Sequence, residues 1–457
     1  MFFSAVHHIH FVGIGGIGMS GLAEILLQQG FRVSGSDLVP SDNTEYLERK
    51  GVRIYYGHDA THIEGADVVV YSSAVDPRTN PETQAALERG IPVLRRAEML
   101  AEVARLKYCL AIAGTHGKTT TTSLCGLVLI RAGLDPTVIV GGRLRGLGGS
   151  NARLGQGSWI VVEADEYDRS FLSLLPTIAV VTNIEEEHLD VYTDRQDILE
   201  AFARFANSVP FYGLVIACVD DNGVKELLPR LSRKVKTYGL SPQSDVRARR
   251  VRLAERSAHF EVFADGESLG ELTLRVPGIH NVRNALAAVL VGRELGIPFQ
   301  TIREALEDFT GVYRRFELVG ERDGVLFVDD YAHHPTEVRA TLQAARQGWD
   351  RRVVCVFQPH TYTRTRAFAA EFGKAFDEAD VLIVTDVYPA REEPIPGVTG
   401  ELIAQAARRS GHRAVFYAPT LEEAAELVSS LLQPGDMLLT LGAGNVVKLH
   451  SLLGVRT

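Results

Sequence analysis

Strand and helix signals alternate along nearly the whole chain, in three successive blocks. In each block, short apolar runs rich in β-branched residues are followed by segments whose apolar residues have helical spacing. Such alternation predicts parallel sheets covered by helices. The 457 residues exceed what a single hydrophobic core usually serves. We therefore expect an α/β fold of three domains, each built on a mainly parallel sheet.

The apolar runs divide the chain near residues 105 and 310. We predict an N-terminal Rossmann-like domain at 1–105, a central ATP-binding domain at 106–310 and a C-terminal Rossmann-like domain at 311–457. Between about 234 and 276 the pattern changes to period 2, which predicts a small antiparallel patch. The predicted parallel strands are 9–14, 31–37, 66–74, 108–114, 158–165, 176–184, 213–221, 324–330, 351–358, 380–386, 413–418 and 436–444.

The first predicted strand runs into a glycine-rich turn, FVGIGGIGMSG at 11–21. The spacing of Gly13, Gly15 and Gly18, with Asp37 after the next strand, matches the dinucleotide fingerprint. Backbone N–H groups at such a turn and the following helix N-terminus bind a diphosphate. A nicotinamide dinucleotide and a nucleotide sugar present the same charge there, so the turn alone leaves both open. A tight turn without a ligand is the structural alternative.

A phosphate-binding loop follows in AIAGTHGKTTTTSLCGLVL at 111–129. In such a loop the backbone N–H groups of 114–118 surround the phosphates, Lys118 reaches the β and γ oxygens, and the Thr119 hydroxyl binds Mg²⁺. The position where the general pattern has its first glycine is Ile112 here. The shortened form Gly-Thr-His-Gly-Lys-Thr, between a buried strand and a helix, predicts ATP binding and hydrolysis.

Acidic residues follow the next two predicted strands, in VVEADEYD and TNIEEEHLD. Because the carboxyl ends of parallel strands meet at one edge of a sheet, we expect these acids beside the phosphate loop. Glu163 and His188 are the leading candidate ligands for Mg²⁺. Histidine is unusual in that role, since hard cations prefer oxygen. Solvated acidic loops are the structural alternative.

Charge and composition exclude several other classes of function. The net charge is −9 and no long basic run is present, so nucleic acid is not an expected partner. No uninterrupted apolar run reaches 18 residues, and the first residues lack a basic segment and a cleavage site. The four cysteines are far apart, and three lie in apolar stretches, as reduced core thiols do. We expect a cytoplasmic protein without a membrane partner.

Several motifs resemble those of one family, the Mur ligases of peptidoglycan synthesis. The resemblance covers the whole chain, and three of its motifs, GIGGIGMSG, DDYAHHP and QPHTYTRT, are typical of the branch that adds L-alanine. It implies that the N-terminal turn binds a uridine diphosphate rather than NAD. The other matching motifs are SSA at 72–74, AGTHGKTTTT, EADEYDRSFL, TNIEEEHLD, PGIHNVRNALAA, YRRFE at 313–317 and DVYPAREEPIPG at 386–397.

The resemblance implies amide formation in two steps, with ATP, Mg²⁺, UDP-N-acetylmuramate and L-alanine. The lactyl carboxylate attacks the γ-phosphate to give an acyl phosphate, and the amine of alanine then displaces phosphate. The implied catalytic residues are Lys118, His188, His360 and Arg364, and the implied metal ligands are Thr119, Glu163 and His188. The implied ATP contacts are Gly114, Thr115, His116, Gly117, Lys118, Thr119, Thr120, His280, Asn281, Asn284, Arg315 and Asp330. The implied substrate contacts are Gly15, Gly16, Ile17, Gly18, Asp37, Ser72, Ser73, Tyr331, His333, His360 and Arg364.

Other readings stay open at this point. A murein-peptide ligase would join a preformed peptide to the same sugar nucleotide. A nicotinamide-dependent dehydrogenase would explain 9–37 and leave the phosphate loop unused, and a non-enzymatic nucleotide switch would leave the third block unused. We expect a monomer or weak homodimer, whose third domain closes over the other two.

Overall fold

The computed structural model describes residues 6–142, 150–187, 191–390 and 392–455. Its strands and helices alternate as the sequence predicts. The strands are β1 His8–Val12, β2 Arg32–Asp37, β3 Arg53–Tyr56, β4 Val68–Tyr71, β5 Val93–Arg95, β6 Tyr108–Ala113, β7 Thr137–Ile139, β8 Ala152–Arg153, β9 Trp159–Glu163, β10 Ile178–Val181, β11 Leu214–Cys218, β12 Val235–Gly239, β13 Val246–Ala254, β14 Ser257–Ala264, β15 Glu267–Leu274, β16 Glu317–Arg322, β17 Val325–Asp330, β18 Val353–Phe357, β19 Val381–Val384, β20 Val415–Tyr417 and β21 Met437–Leu441.

Helices separate most of these strands. Several begin at side chains that accept hydrogen bonds from the first helical N–H groups, such as Ser41, Asn80 and Asp194. The α-helices are α1 Ile17–Gln28, α2 Asp42–Arg49, α3 Pro81–Glu88, α4 Arg96–Ala104, α5 Lys118–Arg131, α6 Arg195–Asn207, α7 Asn222–Leu227, α8 Ile279–Glu294, α9 Phe299–Glu307, α10 Pro335–Gly348, α11 Tyr362–Ala367, α12 Ala369–Gly373, α13 Glu401–Arg409, α14 Leu421–Leu431 and α15 Lys448–Leu452.

The first sheet has five strands in the order β3-β2-β1-β4-β5, all parallel. Its central strand β1 is buried along its whole length, because helices cover both faces of a parallel sheet. The carboxyl end of β1 leads directly into the glycine-rich turn. The Rossmann-like character predicted for this part of the chain is therefore confirmed.

The second sheet has ten strands in the order β15-β14-β13-β12-β11-β10-β6-β9-β7-β8. The six strands from β12 to β7 in this order are parallel, and β8 is antiparallel to β7. Two residues separate β13 from β14 and β14 from β15, which are neighbours in the sheet. Connections this short join only antiparallel strands, and the predicted antiparallel patch is therefore present.

The third sheet has six strands in the order β16-β17-β21-β18-β19-β20. All its pairs are parallel except β16 with β17. Apolar clusters cover both faces of this sheet. The three mainly parallel sheets confirm the predicted fold class.

The structure contains two compact units. One holds the chain up to Arg249 together with Val262–Gly270 and Arg283–Asp308, and the other holds Arg250–Glu261, Glu271–Val282 and the chain from Phe309 onward. The domain boundaries near 105 and 310 stay predictions. None of the described helices has the length and apolar character needed to cross a membrane. All four cysteines are buried and free, as expected of core thiols.

Candidate active site

The phosphate loop lies between buried strand β6 and helix α5, which begins at Lys118. Gly114 has φ +139° and Gly117 has φ +80°, a region that residues with a Cβ rarely adopt. A Cβ at Gly114 would lie 2.0 Å from Thr182 Oγ1, and one at Gly117 would lie 2.8 Å from Asn284 Oδ1. Both glycines are therefore required by conformation and by space.

Lys118 is the fixed cation of this loop. Its Nζ donates to the carbonyls of Gly114 at 2.7 Å and Thr115 at 3.1 Å, and to Glu166 Oε2 at 2.7 Å. Burial works to lower the pKa of the lysine, but the charges of Glu166 and Asp165 outweigh it and raise that pKa above its ordinary value. The ammonium therefore stays charged while it is withdrawn from water.

Glu163 closes the other side of the loop, from the end of β9. Thr119 Oγ1 donates to Glu163 Oε1 at 2.9 Å, and the N–H of Gly141 donates to Oε2. Burial raises the pKa of Glu163 above its ordinary value, against these hydrogen bonds. A hydroxyl and a carboxylate oxygen side by side fit a hard divalent cation such as Mg²⁺. His188, the third predicted ligand, lies outside the described residues.

The end of β10 ties the loop down from the opposite side. Asn183 accepts the N–H of His116 through Oδ1 at 2.7 Å and that of Thr115 through its carbonyl at 3.1 Å. Thr115 Oγ1 in turn accepts the N–H of Glu185 at 2.9 Å. Since β6 pairs with both β9 and β10, the acidic strand ends flank the phosphate loop as predicted.

Sequence reasoning missed two of these supports. It counted Glu166 among the acids of its strand end without pairing it with Lys118, and it did not single out Asn183. The available signal was position, because both residues follow strands that neighbour β6.

The residues of α8 that are predicted to contact ATP have different neighbours in the structure. Asn284 lies against Gly117, so its amide borders the loop. The Asn281 amide donates to the Pro277 carbonyl at 2.7 Å, within the turn that precedes the helix. His280 is the second residue of α8. Thr120 is buried in the first turn of α5.

The glycine-rich turn after β1 holds a carboxylate of its own. Asp37 Oδ2 accepts the N–H of Gly15 at 2.8 Å, and a Cβ on Gly15 would lie at the same distance from that oxygen. Gly16 caps α1, and Ile17 begins it. Ser72 lies against Gly13, and Ser73, the next residue, is exposed. The predicted substrate contacts of this turn are therefore neighbours.

A cation that sequence reasoning missed lies beside the same turn. A Cβ at Gly18 would lie 3.2 Å from Nη1 of Arg96, the first residue of α4. A guanidinium beside a helix N-terminus favours an anion such as a diphosphate. The preceding strand β5 has three residues, so the sequence pattern gave no reason to place Arg96 there.

In the third sheet, aromatic and basic side chains gather beyond the ends of β17 and β18. The ring centroids of Tyr331 and His333 are 5.4 Å apart, and those of His333 and His360 are 5.8 Å apart. Arg364 Nη1 donates to His360 Nδ1 at 3.4 Å. Burial, followed by the nearby charges of His333 and Arg364, lowers the pKa of His360 to about 3. His360 is therefore a neutral acceptor, and the structure brings all four predicted residues together.

Asp330 and Arg315 lie next to this group. The Asp330 carboxylate accepts the N–H groups of Phe316 and Ala332, both at 2.8 Å. Burial raises its pKa to about 6, against the pull of Arg315. Arg315 Nη1 lies 3.5 Å from Glu337 Oε1. In this structure Asp330 therefore links the backbone directly after Tyr331 to that of Phe316.

Three family models match nearly the whole chain. They are described as Mur ligase family, catalytic domain at residues 8–108; Mur ligase middle domain at 112–292; and Mur ligase, glutamate ligase domain at 314–444.

Two relatives that are 54% identical to this chain share one name. The UDP-N-acetylmuramate--L-alanine ligase of Salinibacter ruber is 54% identical over 442 residues, covering 96% of this chain and 93% of that protein. The protein of that name from Geobacter sp. (strain M21) is 54% identical over 445 residues, covering 97% and 96%.

Solved structures match over the same length. UDP-N-acetylmuramate-alanine ligase of Thermotoga maritima has a TM-score of 0.83 at 30% identity, covering 98% of both chains. A murein peptide ligase of Psychrobacter arcticus has a TM-score of 0.73 at 25% identity, also covering 98% of both.

Proposed function

The chain belongs to the Mur ligase family, and on that premise we propose that it is an ATP-dependent ligase joining L-alanine to the lactyl carboxylate of UDP-N-acetylmuramate. The observation that carries the proposal is the phosphate loop, in which Lys118 is buried and charged while Thr119 meets Glu163. The substrates named for the relatives at 54% identity support this choice of substrates. The product is a cytoplasmic precursor of peptidoglycan.

The reaction brings two anions together, so charge neutralisation and positioning dominate its catalysis. The lactyl carboxylate attacks the γ-phosphorus of ATP, ADP leaves, and an acyl phosphate forms. The amine of alanine then attacks the acyl carbon, and phosphate leaves with the former carboxylate oxygen remaining on it. Lys118 holds the β and γ oxygens during the first step.

Thr119 and Glu163 are the proposed metal ligands that the structure describes. The third proposed ligand is His188. A bound Mg²⁺ would neutralise phosphate charge at this position. Loop residues Gly114–Thr120 surround the phosphates, and Asn284 borders them from α8. His280, Asn281, Arg315 and Asp330 are proposed nucleotide contacts after the third domain closes.

The glycine-rich turn is the proposed site of the uridine diphosphate. Gly15, Gly16, Ile17 and Gly18 present the N-terminus of α1, and the Arg96 guanidinium beside Gly18 supplies a positive charge. Ser72 and Ser73 border the same turn. Because the turn holds no lysine, it suits binding of a diphosphate rather than transfer of a phosphoryl group.

The side chains beyond β17 and β18 are the proposed amino-acid site. Arg364 pairs with the carboxylate of alanine, while Tyr331, His333 and His360 enclose its amine and methyl group. The low pKa of His360 keeps its ring uncharged beside the alanine nitrogen, which attacks as the deprotonated amine. We also propose a monomer or weak homodimer, in three domains bounded near 105 and 310, with no nucleic-acid or membrane partner.

Phosphate release by the purified protein tests this function. With ATP, Mg²⁺ and UDP-N-acetylmuramate present, we expect release to depend on L-alanine and to exceed release with glycine or L-serine. One methyl group is worth about 1 to 3 kcal/mol in a small pocket, so those two amino acids remain slow substrates. Release that requires a preformed peptide instead of alanine would favour a murein-peptide ligase. A spectroscopic signal from NADH bound to the protein would instead favour a dehydrogenase.

A further inference from the structure

Arg314 lies next to the proposed amino-acid site and contacts several of its neighbours. It precedes β16 and has φ +59°, a left-handed conformation that residues other than glycine rarely adopt. Its carbonyl accepts the N–H of Tyr331 at 2.8 Å. Such a conformation persists only where surrounding contacts enforce it.

The guanidinium of Arg314 donates in three directions. Nε donates to Asp329 Oδ2 at 3.0 Å, Nη2 to the carbonyl of Gly442 at 2.7 Å, and Nη1 to the carbonyl of Gly444 at 3.2 Å. The carbon at its centre lies 5.1 Å from the centroid of the Tyr331 ring. One side chain therefore links the end of β17, the loop after β21 and an aromatic residue of the proposed site.

Within the described part of the chain, Arg314 is the one cation that forms an ion pair with Asp329. The Asp329 side chain is 1% exposed, and its second oxygen accepts from Thr440 Oγ1 at 2.7 Å. Burial raises its pKa, and Arg314 is the first cause that opposes this. Arg314 therefore neutralises a buried charge while it orients its neighbours.

The loop held by Arg314 continues to His360. A Cβ at Gly444 would lie 2.4 Å from Gln358 Oε1 and 2.6 Å from the ring of Tyr388. The Tyr388 ring in turn stacks on His360, with 5.8 Å between centroids and 14° between planes. A displaced Gly444 would therefore push on the side chains that support His360.

We propose that Arg314 is a positioning residue for the amino-acid site, because it fixes Tyr331 directly and His360 through the Gly442–Gly444 loop and Tyr388. The proposal rests on the proposed function, in which Tyr331 and His360 enclose alanine. Arg314 itself contacts neither alanine nor ATP in this account. Its effect is on the KM for alanine rather than on phosphoryl transfer.

The same sheet offers a matched control at the opposite end of its parallel strands. Arg352 donates through Nε and Nη2 to the Asp436 carboxylate at 2.9 and 2.7 Å, and to the carbonyl of Leu431 at 2.7 Å. Asp436 is as inaccessible as Asp329, with its side chain 4% exposed. The pair lies at the amino ends of β18 and β21, away from the proposed site. Loss of either arginine therefore removes a comparable buried ion pair.

The test compares Arg314→Lys and Arg314→Ala with Arg352→Lys and Arg352→Ala, by titrating alanine, ATP and UDP-N-acetylmuramate in the phosphate-release assay. Lysine keeps the charge beside Asp329 but lacks the planar fork that reaches two carbonyls, so Arg314→Lys should fold and still misplace the loop. We expect both Arg314 variants to raise the KM for alanine at least about tenfold, with the KM for ATP changed less than about twofold. Both Arg352 variants should leave all three KM values near those of the wild type.

Two further readouts separate positioning from general destabilisation. Hydrogen exchange should accelerate in residues 441–447 of the Arg314 variants and not in those of the Arg352 variants. Added guanidinium ion should recover part of the alanine affinity of Arg314→Ala and have no such effect on Arg352→Ala.

Three results would overturn the proposal. They are an unchanged KM for alanine in Arg314→Lys, an equal rise in Arg352→Lys, and unchanged hydrogen exchange in residues 441–447. If the wild type shows no alanine-dependent release, the proposed function fails and this role fails with it. An active wild type beside an unaffected Arg314→Lys overturns the positioning role alone.

Discussion

The chain contains two glycine-rich turns between a buried strand and a helix, and they differ in charge. The turn after β1 has Asp37 bonded to the N–H of Gly15 and no lysine. The loop after β6 has Lys118, which donates to two loop carbonyls and to Glu166. Under the proposed function, the first turn binds a diphosphate and the second loop stabilises a transferring phosphoryl group.

The two turns are also held in place differently. Asn183 and Asn284 support the loop after β6 from neighbouring elements. The turn after β1 depends on Ser36, whose carbonyl accepts the N–H groups of Gly13 and Ile14 at 2.8 and 3.0 Å. Ser36 Oγ donates at 2.6 Å to Glu82, a fully buried carboxylate. A fully buried charge, that of Glu82, thus lies beneath the first turn, whereas the second loop holds Lys118, whose side chain is 14% exposed.

Lys118→Ala should show the largest difference between the two turns. Removal of the cation at the γ-phosphate should reduce phosphate release by about a thousandfold or more. The dissociation constant for UDP-N-acetylmuramate, measured by calorimetry, should stay within about threefold of the wild-type value, because the first turn is unchanged. Complete loss of UDP-sugar binding would contradict this division.

Lys107→Ala is the matched control. Lys107 precedes β6 and donates to the carbonyls of Gly155 and Gly157 at 2.7 and 2.6 Å. Its loss should lower thermal stability without affecting release per folded molecule. Lys118→Ala alone takes the cation away from the buried Glu166 carboxylate, and the double variant Lys118→Ala/Glu166→Gln removes that charge as well. If the single and the double variant are equally inactive, misfolding caused by a buried carboxylate that has lost Lys118 does not explain the loss of activity.

A single methyl group added to either turn should weaken binding of that turn's own ligand about tenfold and leave the other ligand unaffected. Gly117→Ala places a Cβ at φ +80° and 2.8 Å from Asn284, so the KM for ATP should rise about tenfold while UDP-sugar affinity is kept. Gly15→Ala crowds Asp37 and should weaken the UDP-sugar about tenfold while the KM for ATP is kept. Gly133→Ala, at φ +75° with open space around it, should cost stability alone. Equal effects of Gly15→Ala and Gly117→Ala on both ligands would remove the distinction.

Glu82 should give the smallest effect on ligand binding and a clear dependence on pH. Burial works to raise its pKa, but hydrogen bonds from His10, Ser36 and His62 outweigh it and hold the pKa at about 2. Because the folded pKa lies below the unfolded value, this stabilisation is complete above about pH 4.5 and is lost as the pH falls toward 2.

Thermal denaturation at several pH values checks this prediction. The wild type should lose stability between pH 4.5 and 2 more steeply than Glu82→Gln, by a contribution on the order of 3 kcal/mol. At neutral pH the variant should weaken UDP-sugar binding by about threefold and leave the KM for ATP unchanged. Parallel stability curves for the two proteins would show that Glu82 does not support the turn through its charge.

The strands that sequence reasoning overlooked show the limit of apolar patterns. All twelve predicted parallel strands are present, and all of them except β20, which lies at one edge of the third sheet, have neighbours on both sides. The strands that were not predicted, β3, β5, β7, β8 and β16, have two to six residues, and all of them except β7 lie at the edge of a sheet. The antiparallel patch predicted at 234–276 also includes β12, which instead pairs in parallel with β11 and β13. An edge strand needs no continuous buried run, because one side of it faces no further strand.

The sequence by itself determined the local units of the proposed site. Glycines, lysine and threonine within six positions specify the loop after β6, because their hydrogen bonds close within one turn of chain. Glycine spacing likewise marks the turn at Gly13–Gly18, although its N–H groups bond to Ser36 and Asp37 from the next strand. Motif resemblance then indicated the family, which the comparisons confirm.

Only the tertiary structure decided which side chains support those units. Glu166 meets Lys118 across 48 residues, Asn183 meets His116 across 67, and Arg314 meets Gly444 across 130. Arg96 lies beside Gly18 because it directly follows β5, a three-residue strand that no apolar pattern predicted. Such contacts depend on which strands become neighbours, as when β21 enters between β17 and β18. Strand order is a property of the packed sheet, since burial of all the apolar faces together selects it, and no short stretch of sequence contains that information.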